Sequence, residues 1–135
     1  MQNRRLAGSR PLILLLMALA GAALIPMAVS SRPQQAVREI RLVAREMTYY
    51  VEGSSTPNPT LVVRRGEQVR ILLRNSDPGM THDVGIDAWS VRTRLLDDGG
   101  KREAAIQFQA PEHPVDAVYS CTPHSLMMRG TIRVE

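Results

Sequence analysis

After residue 36, apolar residues recur in short runs with a period of two, the spacing of strands with one buried face. Ile40, Leu42 and Ala44 alternate with Arg41, Val43 and Arg45, and Val69, Ile71 and Leu73 alternate with Gln68, Arg70, Leu72 and Arg74. Further strands are expected at residues 47–51, 60–64, 83–86, 90–95, 103–109, 117–120 and 130–135, each bounded by Gly, Pro, Asn or Asp. Pro57 and Pro59 put residues 54–59 in a loop, and Arg65-Gly66 and Asp98-Gly99-Gly100 read as hairpin turns. About seven or eight short strands with turns between them predict an all-β fold: an antiparallel sandwich with Greek-key connections.

The N-terminus breaks this pattern. Arg4, Arg5 and Arg10 precede an apolar run over residues 11–29, the charged-then-apolar order of an export signal. Ala28 and Ser30 offer a small-residue cleavage site, yet the run also approaches the ~17–20 residues that span a bilayer. Residues 1–30 are therefore read as a signal peptide or a membrane-anchor helix, 31–36 as a polar linker and 37–135 as one domain. A chain of 135 residues has room for one such domain and not two. The expected location is periplasmic or otherwise extracytoplasmic, with membrane anchoring through residues 11–29 as the alternative to release.

Charge narrows the partners. The chain carries 17 basic and 13 acidic side chains, but three of the basic ones are in the leader, so residues 31–135 hold 14 against 13. The arginines are isolated, with no basic stripe to follow phosphates, and nucleic acid is excluded as a partner. Cys121 is the only cysteine, so no internal disulfide can form. A lone thiol in an oxidising compartment needs another role.

That role is suggested by Cys121-Thr122-Pro123-His124-Ser125-Leu126-Met127-Met128, which puts a thiolate, an imidazole and two thioethers on one loop between strands. Such donors suit copper, which alternates between a soft Cu(I) and a Cu(II) that favours nitrogen. A second imidazole is available from His82, about 40 residues upstream in Gly79-Met80-Thr81-His82-Asp83-Val84, just before an expected strand. Either Met127 or Met128 could add the thioether. Taken singly, each residue has a plainer role: a buried cysteine as a small hydrophobe, a surface histidine, methionines in the core. Their joint spacing favours a metal. His113, between prolines, has no such company, and Trp89, Tyr49 and Tyr50 read as core or rim aromatics. A Cys-His nucleophile pair is disfavoured, because the two lie on one loop without an orienting Asn or oxyanion donors. Structural zinc prefers more thiolates and rarely takes Met. A binuclear copper centre would need a second cysteine, and a multicopper oxidase would need more histidines.

Tyr119-Ser120-Cys121-Thr122-Pro123-His124, followed by Met128-Arg129-Gly130, resembles the C-terminal copper loop of the cupredoxin family, which includes plastocyanin, amicyanin and azurin. The likeness extends back through Asn75 and His82 to the first strand, over roughly residues 38–135. It implies a cupredoxin-like Greek-key β-sandwich with one type 1 copper ion, His82, Cys121 and His124 as equatorial ligands and a methionine as the axial one. Spacing from His124 favours Met127, as in amicyanin. The Met-Arg-Gly register entering the last strand favours Met128, which is the residue taken here. Asp83 departs from the family's usual Asn, whose side chain ties the two ligand loops together. Pro123 has no N–H to offer the Cys121 sulfur. The implied function is that of a monomeric one-electron carrier, not an enzyme, whose partners are redox proteins such as cytochromes or copper enzymes. Electrons would leave through His124 at an apolar patch of Pro123, Leu126 and Met127. A copper-delivery module without redox shuttling is the competing class.

Overall fold

A computed structural model describes residues 36–135. The leader at 1–30 and the linker up to residue 35 lie outside the described residues. Nine strands form two sheets: β1 Arg38–Arg45, β2 Thr48–Val51, β3 Leu61–Val63, β4 Gln68–Asn75, β5 Gly85–Ile86, β6 Val91–Arg92, β7 Glu103–Gln109, β8 Val115–Ser120 and β9 Arg129–Val134. The first sheet has the order β2-β1-β4-β7 and the second β3-β9-β8-β5-β6. The only helical element among the described residues is a 3₁₀ turn at Asp87–Trp89.

The period-two pattern sets which faces meet. Ile40, Leu42 and Ala44 of β1, Val69, Ile71 and Leu73 of β4, and Ile106 and Phe108 of β7 point inward from the first sheet. Leu61, Val63, Ile86, Ala117, Tyr119, Ile132 and Val134 face them from the second. Burying this shared layer drives the two sheets together, as in other sandwiches. The all-β sandwich expected from the sequence is thus the observed architecture.

The topology corrects three expectations. The sandwich is not purely antiparallel, because β1 pairs with β4 and β3 with β9 in parallel. Arg65-Gly66 and Asp98-Gly99-Gly100 are not hairpin turns: the first joins β3 to β4 and the second β6 to β7, and each pair lies in different sheets. The chain crosses between sheets there, so β4 returns to the first sheet in the direction of β1. The strands expected at 83–86 and 90–95 shrink to two residues each. Beyond them the pairing is mixed: the Thr93 N–H donates to the Val84 carbonyl at 2.9 Å, while the Val84 N–H donates to the Thr93 hydroxyl at 3.0 Å. These short strands leave room for loops at one end of the sandwich, and the candidate ligands sit on those loops.

Candidate metal centre

His82 lies between β4 and β5, where its backbone makes an isolated bridge with Leu96. The two residues exchange N–H donations at 2.9 and 2.7 Å, which fixes the main chain beneath the ring. The side chain is fully buried. Its Nε2 is 2.9 Å from Asp77 Oδ2. A carboxylate only accepts, so Nε2 carries the proton and Nδ1 keeps a lone pair. Asp77 also accepts the N–H of Glu46 at 2.6 Å and of Met47 at 3.0 Å. Burial works against that carboxylate, yet the Met47 and Glu46 amides and the His82 ring hold it below the usual carboxylate range. Asn75, at the end of β4, braces the loop: its Nδ2 donates to the carbonyls of Met80 at 2.7 Å and Leu96 at 2.9 Å, and its Oδ1 accepts the Asp77 N–H.

Cys121, His124 and Met128 stand on the loop between β8 and β9. The Cys121 N–H donates to the Met128 carbonyl at 3.0 Å and so continues the ladder one step past the paired strands. Inside the loop, the amides of Met127 and Met128 both donate to the His124 carbonyl, forming a compact turn. Asn58 Nδ2 reaches the Met127 carbonyl at 2.9 Å from the loop before β3. Below the loop, the Tyr119 ring lies across Gly130, where a Cβ would come within 2.3 Å of the ring. Only glycine permits that approach, which aims the Tyr119 hydroxyl at the Pro59 carbonyl, 2.6 Å away.

Asp83 ties the two loops together. Its carboxylate accepts the Thr122 N–H at 2.6 Å and the Thr122 hydroxyl at 2.7 Å. Arg92 approaches it at 3.2 Å and also donates to the Ser120 carbonyl and to Asp87. The arginine reaches inward because Gly85, opposite it in the sheet, has no side chain to block its stem. The buried acid is therefore accommodated by a neighbouring cation. Tyr49, fully buried, donates its hydroxyl to the Asp83 carbonyl.

The outcome is a triangle of donors. His82 Nδ1 is 3.2 Å from His124 Nδ1, and Cys121 Sγ is 3.8 Å from the first nitrogen and 3.7 Å from the second. The centre of a triangle with these sides lies about 2.1 Å from each corner, close to the bond lengths of ~2.0–2.1 Å to histidine and ~2.3 Å to thiolate found for zinc, a first-row metal of similar size. The three residues thus fit one metal ion, and they are the only such cluster among the described residues. Burial pushes His82 down, and the opposing hydrogen bond and charge of Asp77 do not restore its usual range, so the ring is neutral and ready to ligate. Burial pushes the Cys121 thiol up, with the amides of Asp83 and His124 opposing. A metal that enters must therefore displace its proton.

The two candidate thioethers are separated by exposure: Met128 is fully buried, whereas Met127 is 54% exposed. His113 lies in the exposed connection between β7 and β8 and has no part in the cluster. Trp89 packs on Phe108 with ring centres 5.2 Å apart, and the Tyr50 ring lies under Arg45. Asp77 went unremarked in the sequence. Its partners are 30 and 31 residues upstream on one side and a ring five residues downstream on the other, and no local pattern joins them.

No family model matches the sequence, and no curated protein does. Among solved structures, the chain is similar to auracyanin A, a "blue" copper protein from the green thermophilic photosynthetic bacterium Chloroflexus aurantiacus. The two are 16% identical over 74% of this chain and 100% of that one, with a TM-score of 0.56. It is similar to reduced rusticyanin at 19% identity over 76% of this chain and 81% of that one, TM-score 0.57. It is similar as well to dithionite-reduced auracyanin from the photosynthetic bacterium Roseiflexus castenholzii, at 17% identity over 76% and 99% of the two chains, TM-score 0.56.

Proposed function

We propose that the chain is a cupredoxin in chemistry as well as in fold: it holds one copper ion between His82, Cys121 and His124, with Met128 as a weak axial donor, and passes single electrons. The observation that carries this reading is the triangle of one thiolate and two imidazole nitrogens, with buried Met128 paired through the backbone to Cys121, a donor set suited to copper in both of its common oxidation states. The likeness to a protein described as "blue" copper supports it. Copper bound there would supply a one-electron couple.

The chain's own residues do the rest. Strand ends and the Asp83 tie hold the donors in place, so little rearrangement accompanies a change of charge. Cys121 and His82 are sealed from water, which leaves no open position for a substrate and argues for a carrier and not an enzyme. His124 is half-buried and borders Leu126, which is 90% exposed, and Met127. With Pro123 these form an apolar rim on which a redox partner, a cytochrome or another copper protein, docks transiently while electrons leave by the His124 edge. The protein works as a monomer outside the cytoplasm, delivered there by residues 1–30.

The test is the visible and electron paramagnetic resonance spectrum of the full chain after addition of Cu(II), for the parent and for Cys121→Ser. The expected result is an intense thiolate-to-copper band in the parent, absent from the variant, and reversible voltammetry. A weak, pale spectrum in the parent would sink the proposal. An intense band with irreversible loss of copper on reduction would favour copper delivery instead.

A further inference from the structure

The ring of His82 is held from behind by a carboxylate. We propose that Asp77 is a positioning residue of the metal centre: it fixes which nitrogen of His82 faces the other two donors and, by strengthening that nitrogen, favours the oxidised metal. The inference rests on the copper reading of the same site.

The geometry leaves the ring one choice. With Nε2 donating to Asp77 Oδ2 at 2.9 Å, Nδ1 is the nitrogen that completes the triangle, 3.2 Å from His124 Nδ1. The carboxylate cannot turn away, because the Glu46 N–H donates to Oδ1 and the Met47 N–H to Oδ2. Its own N–H is fixed to Asn75 Oδ1 at 3.0 Å. Glu46 and Met47 both adopt left-handed backbone, with φ of 53° and 57°, which side-chain-bearing residues seldom take in succession. Asp77, accepting both amides, accounts for that turn. The β1–β2 turn, the acid and the ligand ring therefore form one connected unit.

Two effects follow on the metal. A histidine whose far N–H donates to a carboxylate is a better donor, and removing such a partner from metal sites costs about 10–100-fold in affinity. Negative charge behind the ring also stabilises a doubly charged ion more than a singly charged one. Asparagine has the same shape but no charge, and its NH₂ would face an N–H that needs an acceptor.

The experiment uses the full chain in two states. In the metal-free parent, nitrogen-15 spectra of the His82 ring should report the Nε2–H tautomer alone, and Asp77→Ala, which removes the acceptor, should give a mixture. In the copper-loaded forms, Asp77→Asn should weaken Cu(II) binding relative to Cu(I) about tenfold, which for one electron is a rise of about 59 mV in reduction potential. Met47→Gly, which keeps the amide, should leave both readings at parent values. An Nδ1–H tautomer in the parent overturns the proposal without any variant, and so does an unchanged potential in Asp77→Asn. If the parent shows the Nε2–H tautomer and Asp77→Ala the mixture, but copper gives no intense band, the copper reading has failed while the positioning of His82 by Asp77 stands.

Discussion

The two loops that carry the candidate ligands are built in opposite ways. The first carries His82 fully buried, bridged to Leu96 on both sides, backed by Asp77 and braced by Asn75. The second carries Cys121 and Met128 inward but leaves His124 half-buried among exposed Leu126 and Met127. One loop is part of the folded core, while the other is partly surface. The proposed electron carrier would need both properties, a fixed donor frame and one donor edge near a partner, and the two are found on different segments of chain.

The sharpest way to break this comparison is to truncate each histidine in the metal-free protein. His82→Ala should cost about 2–4 kcal/mol of unfolding free energy, because it empties a packed site and strips one donor from the Asp77 carboxylate. His124→Ala should cost less than about 1 kcal/mol, since its ring meets solvent. Urea unfolding of the two variants checks this, and equal losses would abolish the distinction.

Asp83→Ala should come next, at about 2 kcal/mol, because it leaves the Thr122 N–H and hydroxyl without their acceptor. Hydrogen exchange should then rise at Thr122 while the His82 and Leu96 amides keep their protection. Exchange rising equally on both sides would mean that the loops do not respond separately. The smallest effect is expected from Pro123→Ala. It supplies an N–H near the Cys121 sulfur and should raise the reduction potential with stability within about 0.5 kcal/mol of the parent. An unchanged or lowered potential by voltammetry would count against a new donor.

The core was readable because burial on one face leaves alternation behind, as in β1 and β4. Cys121, His124 and Met128 stood out as candidate donors because thiolate, imidazole and thioether seldom share so short a loop. What escaped was whatever depends on segments meeting across the fold. Parallel pairing of β1 with β4 arises from crossings between sheets, and Arg65-Gly66 looks the same whether it closes a hairpin or a crossing. The β1–β2 turn has no Gly or Asn to announce its left-handed residues, since Asp77 stabilises them from a distance. Between Met127 and Met128 the Met-Arg-Gly register favoured Met128, and burial separates the two in the same direction, Met128 being buried and Met127 exposed.

The order of strands along the chain has a consequence for maturation. The first sheet has all four of its strands once the chain has reached Gln109. The second cannot close until β9 arrives to sit between β3 and β8, so β3 waits some 65 residues for its parallel neighbour. Cys121, His124 and Met128 emerge in that same late stretch. A chain made from its N-terminus therefore has, of the four candidate donors, His82 alone until residue 121. The donor triangle can form only as the second sheet closes.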